Sequence, residues 1–331
     1  LALARALAAG ENGDRDYVAV NANTSFVGWD GAITPPTGEA RSFTVDVRMD
    51  EVVEVDEEKR QITFKACGRE PEQDPYYLHY YRVDFDGTNL VRLTGGDGTH
   101  SAQFSPDDTV FIDTWSRVDL PPRHVLRRVS DGKQLCELET ADAKDLYATG
   151  WRHAERFVAK DRDGKFDIHG IICRPSNFDP KKKYPVVEVI YAGPHGAFVP
   201  KAWRSRYGHW RDELMELGFI TVQIDGKGTN YRGREFQHFA YTTINDAGFP
   251  DRIKWMQAAA KKYPQMDVTR VGIYGGSAGG QNGNACRYPR GRCCRTSLAT
   301  ALLDGKSQRD AGSKEATELE KITLELSLIH I

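Results

Sequence analysis

Short alternations of apolar and polar residues dominate the chain between about residue 60 and residue 140. They are separated by turn sequences such as Asp86-Gly87, Ser105-Pro106-Asp107-Asp108 and Asp131-Gly132, with no helix-period stretch between them. The predicted strands are Ile62–Phe64, Tyr80–Phe85, Leu90–Leu93, His100–Phe104, Thr109–Thr114, Val125–Val129 and Gln134–Glu139. Weaker alternation upstream adds Ser42–Val47 and Glu51–Val55. This spacing predicts an all-β array. Because four strands in about 40–45 residues form one blade of a β-propeller, up to two blades are expected. A fragment of a β-sandwich is the alternative.

From Asp167 onward the pattern changes to strands that alternate with helices. The predicted strands are Asp167–Cys173, Pro185–Tyr191, Phe219–Ile224 and Val271–Tyr274, and the predicted helices are Trp210–Leu217 and Asp251–Tyr263. Such alternation gives a mostly parallel sheet covered by helices. Since sites in these sheets lie at the carboxyl ends of strands, Tyr191, Asp225 and Ser277 are expected to converge at one edge.

The last of these strands leads into Gly275-Gly276-Ser277-Ala278-Gly279, a G-x-S-x-G sequence. Directly after a strand, this sequence is typical of the nucleophile elbow of α/β-hydrolases, where the serine occupies a sharp, strained strand-to-helix turn. Small neighbours permit the close backbone approach that the turn requires. The amide of Ala278 would then serve as an oxyanion donor. A glycine-rich turn with an incidental serine is the alternative.

Composition narrows the classes of function. The 331 residues include 45 Lys and Arg against 47 Asp and Glu, and the net charge of −2 indicates neither a nucleic-acid partner nor an anionic membrane. No apolar run approaches the roughly 18 residues of a membrane helix. Neither the six Cys nor the nine His show metal-site spacing, so that no metal is predicted.

No cofactor is predicted either. The glycine-rich run from Asp225 to Gly233 follows a strand, but it lacks the ending of a phosphate loop and the spacing of a dinucleotide fingerprint. His195 is expected to be an ordinary loop histidine, although it follows Tyr191 closely enough to approach the site. The stretch Leu1–Ala9 fits either the end of a signal peptide or a helix. The missing initial Met predicts that the natural N-terminus lies upstream, and no compartment is indicated.

Several motifs, taken in order, resemble one family. In the second half they are Asp163-Gly164-Lys165, Arg174–Phe178, Ile190–Pro194, Asp225–Thr229, Asp246–Asp251 and Gly275–Asn282, and upstream they are Leu93-Thr94, His100, Phe104–Asp107 and Ser116–Pro122. Over about residues 60–282 the chain resembles the prolyl oligopeptidase family of serine peptidases, in its dipeptidyl peptidase IV branch. The resemblance implies a propeller that caps an α/β-hydrolase domain. It also implies a peptide substrate, cleaved by a Ser-Asp-His triad that typically releases an N-terminal dipeptide with Pro second.

The resemblance assigns roles to three residues. Ser277 corresponds to the nucleophile, Tyr191 to the oxyanion-hole tyrosine, and the Ala278 amide to the second oxyanion donor. For Tyr191 a core position at a strand end is the alternative. The family's paired glutamates, which hold the substrate amino terminus, cannot be placed on Glu57-Glu58 or any other pair. Dipeptidyl specificity therefore follows from the resemblance alone, and oligomerisation is possible by the same analogy.

The C-terminal tail departs from the family pattern. Asp304 or Asp310 followed by His330 has the right triad order, but a further βαβ unit of about 30 residues or more should come first, and the sequence does not supply it. Gly283 and Pro289 also interrupt the expected elbow helix. We therefore expect the resemblance to end near Asn282. We also expect no downstream strand beside the elbow strand, and residues 283–331 to be a frameshift or artefact rather than a basic binding tail.

Three segments are expected as a result. Residues 1–145 would form the C-terminal part of a β-propeller, residues 146–282 the first part of an α/β-hydrolase domain truncated after the elbow, and residues 283–331 the aberrant tail. The predicted function is that of a serine-type dipeptidyl peptidase, with the chain as written inactive because the triad Asp and His are missing. A non-catalytic binding protein on this fold and a carboxylesterase-type hydrolase are the alternatives.

Overall fold

The structure is a computed structural model that describes residues 6–9, 15–21, 41–44, 48–204, 209–285 and 296–299. Its strands are β1 Ala6–Ala9, β2 Arg15–Asn21, β3 Arg41–Thr44, β4 Arg48–Asp56, β5 Gln61–Cys67, β6 His79–Asp84, β7 Val91–Arg92, β8 Thr99–Phe104, β9 Val110–Arg117, β10 Leu120–Arg128, β11 Gln134–Thr140, β12 Glu155–Lys160, β13 Asp167–Cys173, β14 Tyr184–Val189, β15 Ile220–Asp225, β16 Met266–Gly275 and β17 Thr296–Ala299. Its α-helices are α1 Lys144–Ala148, α2 His209–Glu216, α3 Arg234–Thr243, α4 Phe249–Lys262 and α5 Ala278–Ala285, and one 3₁₀ turn covers Ile244–Asp246.

The all-β part contains two four-stranded antiparallel sheets. Strands β4 to β7 pair in sequence order in the first, and strands β8 to β11 do so in the second. Alternate residues of β5 and β6, such as Ile62, Phe64 and Tyr81, form the core of the first sheet, while Leu93 and Phe111 pack where the two sheets meet. Four-stranded meanders of this kind fit the blades of a propeller. Upstream, β1, β2 and β3 form a separate three-stranded sheet.

The α/β part is built on one six-stranded mixed sheet. Its strand order is β12-β13-β15-β14-β16-β17, in which β13 runs antiparallel to β12 and β15, and the other pairs are parallel. All six residues of β15 are buried, as expected for a strand covered on both faces. Helix α4 adds Trp255, Met256 and Ala259 to the core between it and the sheet. An all-β part followed by an α/β part is thus confirmed.

Several features differ from the sequence-based expectations. Strand β17 pairs in parallel with β16 through four Cα partners from Gly272 to Gly275, so the expectation of an unpartnered elbow strand is wrong. Helix α5 continues through Gly283 to Ala285, because a single glycine costs only about 1 kcal/mol in a helix. The segment Ala6–Ala9 is a strand rather than a helix. Helices α1 and α3 and strands β2 and β12 were not predicted.

Candidate active site

Ser277 occupies the turn between β16 and α5, and its residue is exposed. Its φ is +53°, in the left-handed region that residues with a side chain seldom adopt. Such a conformation costs about 1–3 kcal/mol and persists where the surroundings enforce it, commonly at functional sites. In α/β-hydrolases the corresponding turn presents the serine hydroxyl beyond the end of the sheet.

At two positions around this turn only glycine fits, because the neighbouring backbone leaves no room for a Cβ. A Cβ on Gly279 would lie 2.2 Å from the Ile190 carbonyl oxygen, and a Cβ on Gly275 would lie 2.6 Å from the same oxygen. A Cβ on Gly276, by contrast, would meet no atom of the described residues within 4 Å. The first and last glycines of the G-x-S-x-G sequence are therefore required by packing, because α5 lies directly against the chain that leaves β14.

Tyr191 follows β14 and is tied to the elbow on both sides. The N–H of Ile190 donates to the Tyr274 carbonyl oxygen at 2.8 Å, and the N–H of Ala192 donates to Asn282 Oδ1 at 3.1 Å. The Tyr191 ring borders Gly279, since its Cδ2 would lie 3.5 Å from a Cβ placed there. Tyr191 and Ser277 therefore lie at the same edge of the sheet.

The backbone amide of Ala278 is the first N–H of α5. The first four N–H groups of a helix have no partner within the helix, and they carry the positive end of its dipole. In α/β-hydrolases one oxyanion donor is the amide after the nucleophile, and another comes from the loop after the third strand of the sheet. Here that loop follows β14, the third strand of the mixed sheet in chain order, and it begins with Tyr191.

Asp225 also lies at this edge, but it is a support for the loop. Its Oδ1 accepts the N–H of Phe198 at 2.9 Å and its Oδ2 accepts the N–H of Val199 at 3.1 Å. The residue is fully buried, and burial raises the pKa of its carboxyl against the lowering effect of Lys201 and these amides. The Phe198 ring in turn lies 4.7 Å from the Tyr191 ring, centroid to centroid. Sequence reasoning placed Asp225 at the edge but missed this role, because the loop it holds has no sequence signature.

The glycine-rich run after β15 is structural. Lys227 is buried and pairs with Asp161, at 3.1 Å, and with Asp163. Its charge is thus neutralised within the protein. His195 is exposed, and its ring packs 5.7 Å from Tyr191 and 5.2 Å from Phe198.

The sequence also raised the questions of triad residues in the tail, of a metal site and of a membrane helix. Asp304, Asp310 and His330 lie outside the described residues. Within the described ranges, no group of three or more His, Cys, Asp and Glu is arranged to hold a metal ion. None of the helices described here combines the length and apolar character needed to cross a membrane.

A mixed sheet whose strand β16 leads into a strained serine before a helix fits the α/β class of serine hydrolases. Comparison with known proteins narrows this class. Residues 206–293 match the prolyl oligopeptidase family model, and residues 36–122 match that of the dipeptidyl peptidase IV N-terminal region. In these two segments the chain is therefore similar to the prolyl oligopeptidase family of serine peptidases and to its dipeptidyl peptidase IV branch. The match extends to residue 293, beyond Asn282, where the resemblance was expected to end.

Two named proteins are similar to the chain in sequence. The chain is 27% identical over 259 residues to human dipeptidyl peptidase 8, covering 75% of the chain and 28% of that protein. It is 28% identical over 214 residues to a probable dipeptidyl-aminopeptidase B of Sclerotinia sclerotiorum, covering 63% and 23%. The chain thus spans about a quarter of the length of these relatives.

Two solved structures have a similar fold. A putative dipeptidyl aminopeptidase IV from Bacteroides ovatus superimposes with a TM-score of 0.64 at 25% identity, covering 76% of this chain and 35% of that one. Porphyromonas gingivalis dipeptidyl peptidase 4 gives a TM-score of 0.62 at 24% identity, covering 84% and 38%.

Proposed function

We propose that this chain is part of a serine dipeptidyl peptidase in which Ser277 is the nucleophile and Tyr191 is an oxyanion donor. The single observation that carries the proposal is the left-handed φ of +53° at Ser277, at the end of β16 and against the start of α5. A serine is not needed for such a turn, where glycine would be free of strain. Strain retained at an exposed hydroxyl is explained by a role for that hydroxyl in chemistry.

The chemistry would be acyl transfer. The Ser277 hydroxyl attacks the peptide carbonyl, and the negative charge that develops on the carbonyl oxygen is stabilised by the Ala278 amide and the Tyr191 hydroxyl. An imidazole removes the serine proton and returns it to the leaving amine, while a carboxylate orients the imidazole. By resemblance, both partners follow the nucleophile in the chain, and we propose that residues 283–331 do not supply them.

The domain organisation belongs to the same proposal. Residues 1–145 would contribute to a propeller, residues 146–282 to the catalytic domain, and residues 283–331 would replace the natural continuation. The release of Xaa-Pro dipeptides is proposed from the resemblance to the dipeptidyl peptidase IV branch. The match of residues 36–122 to the N-terminal region of that branch favours a peptidase over a carboxylesterase. A non-catalytic binding protein would not explain the strain at Ser277.

The decisive experiment begins with the coding sequence around codon 283. If a restored frame gives a helix followed by Asp and His, the continued protein should be expressed and treated with a fluorophosphonate probe. We expect labelling of Ser277, its complete loss in Ser277→Ala, and no labelling of the 331-residue chain. Labelling that survives in Ser277→Ala would refute the nucleophile, and turnover of a Gly-Pro chromogenic substrate by the 331-residue chain would show that its tail completes the site.

The role of Tyr191 is tested in the same continued protein. Tyr191→Phe removes the hydroxyl and keeps the ring that packs on Phe198, so we expect kcat to fall by about 10²–10³ with little change in KM. A rise in KM at unchanged kcat would instead assign Tyr191 to substrate packing.

A further inference from the structure

Asp74 lies in the turn between β5 and β6, where the first four-stranded sheet meets the mixed sheet. Its Oδ2 accepts a hydrogen bond from Lys201 Nζ at 2.9 Å, and His169 Nδ1 lies 3.5 Å from the same oxygen. The side chains of Asp74 and Lys201 are only 7% and 14% exposed. Burial by itself would raise the pKa of Asp74, but Lys201 and His169 outweigh it and hold the pKa well below its usual range. The contact is thus a shielded ion pair between the two parts of the molecule.

Tyr76 fixes the position of this ion pair. Its N–H donates to Asp74 Oδ1 at 3.0 Å, and Lys201 Nζ lies 4.2 Å from the centroid of its ring. The same ring meets His169 edge-on at 5.7 Å, and Tyr76 is 4% exposed. Since the ammonium group has a carboxylate as one neighbour and an aromatic ring as another, its place is determined in more than one direction.

Lys201 ends a short segment that leads back to the candidate active site. Two residues before it, Val199 donates its N–H to Asp225, and Phe198 donates to the same carboxylate. The Phe198 ring packs against Tyr191 at 4.7 Å between centroids. A restraint on Lys201 therefore restrains the segment that supports the Tyr191 ring.

The geometry points to Asp74 as a positioning residue for the active site: through Lys201 it fixes residues 198–201, which hold Tyr191 beside the elbow. The all-β part would thereby organise the site while contributing no reacting atom from this turn. The expected effect on kcat rests on the proposed function, whereas the expected ordering of residues 198–201 does not.

Hydrogen exchange of the 331-residue chain, read by mass spectrometry, tests the ordering. Asp74→Asn keeps the shape of the side chain and removes its charge. We expect exchange in peptides covering residues 192–204 to accelerate by about tenfold or more, because bonds in this segment lose their support, while β5 and α4 stay unchanged. Asp131→Asn, at an exposed hairpin turn of the second four-stranded sheet, is the matched control and should leave the segment unaffected.

Two further variants show whether the effect passes through Lys201. Lys201→Met should accelerate exchange in the same peptides, and it tests the contact from the other side if Asp74→Asn folds poorly. The double variant should exchange no faster than the faster single variant, since residues acting through one contact are not additive. Additive acceleration, or an unchanged segment in both single variants, would overturn the inference.

The kinetic experiment uses the protein that continues in the restored reading frame beyond codon 283. Asp74→Asn should lower kcat by about tenfold or more per serine titrated with fluorophosphonate, with KM within about twofold, because a displaced oxyanion donor mainly affects the transition state. A purely structural role would lower the titratable fraction and leave kcat per labelled site unchanged. If the wild type is never labelled, the proposed function fails while hydrogen exchange still decides the role of Asp74.

Discussion

The elbow and the junction at Asp74 both hold the candidate active site in place, but they are built in opposite ways. At the elbow, β16, α5 and the chain after β14 approach so closely that a Cβ on Gly279 would lie 2.2 Å from a carbonyl oxygen. At the junction, Asp74 and Lys201, which are 127 positions apart in the sequence, are joined by charge at 2.9 Å. The elbow is fixed by the absence of side-chain atoms, and the junction is fixed by charged side chains.

This difference determines what should disturb each region. A backbone contact without side chains is sensitive to added volume and contains no group that titrates. A shielded ion pair tolerates small changes of volume better than the loss of one partner, which leaves the other charge buried and unpaired. The elbow and the junction should therefore respond differently to substitution and to pH.

The largest effect is expected from Gly279→Ala. The added methyl meets the Ile190 carbonyl oxygen, which is backbone and cannot move aside cheaply, so we expect the free energy of unfolding to fall by about 3 kcal/mol or more. Urea denaturation followed by circular dichroism measures the loss. The loss should be the same at pH 7 and pH 4, since no titratable group is involved.

Gly276→Ala is the matched control for this substitution. It places the same methyl three residues away, where no atom in the described part of the chain lies within 4 Å. We expect a change of less than about 1 kcal/mol, in the stabilising direction because alanine restricts the unfolded chain. Equal losses in the two variants would mean that the close approach of α5 to Ile190 does not determine the stability of the elbow.

An intermediate effect is expected from Asp74→Asn, and it should depend on pH. At pH 7 we expect the free energy of unfolding to fall by about 2 kcal/mol, less than for a fully buried pair because Lys201 retains some exposure. The folded pKa of Asp74 lies below its unfolded value of 3.8. Its stabilisation is therefore complete above that value and is lost as the pH falls from there toward the folded pKa.

Denaturation curves of wild type and Asp74→Asn between pH 7 and pH 3 check this prediction. The difference between the two proteins should be constant down to about pH 4 and then shrink. Asp225 has the opposite shift, since burial raises its pKa. A wild-type-to-variant difference that grows in acid would mean that the pKa of Asp74 is raised in the folded protein, as that of Asp225 is, and would contradict the ion pair at Asp74.

The same contrast explains what could be predicted from the sequence. The elbow is local: the requirement for small residues and for a preceding strand is written in adjacent positions, so Val271–Tyr274 and the G-x-S-x-G sequence predicted β16 and the turn. The junction depends on partners far apart in the chain, and neither Asp74 nor Lys201 belongs to a motif. The support that Asp225 gives to Phe198 and Val199 was missed for the same reason.

Helix α3 and strand β17 were missed for other reasons. In α3 the polar segment Arg234–Thr243 contains Thr242 and Thr243, which have low helix propensity, so that packing of Phe236 against the mixed sheet decides its conformation. Strand β17 was not predicted because the glycine and arginine residues before Thr296 indicated an irregular tail. Its pairing with β16 depends on the sheet edge that β16 offers, and a sheet edge cannot be recognised from the tail alone.

The smallest effect is expected at Ser277 itself, where the elbow stores strain. Ser277→Gly removes the Cβ that makes a φ of +53° unfavourable, which relieves a penalty of about 1–2 kcal/mol. Glycine also raises the conformational entropy of the unfolded chain, and this offsets part of the gain. Ser277→Ala keeps the Cβ and removes the hydroxyl. We therefore expect Ser277→Gly to be more stable than Ser277→Ala by about 0.5–1 kcal/mol, measured by paired urea denaturation. Equal stability would show that the turn carries no strain, and the reason for assigning Ser277 a role in chemistry would then be lost.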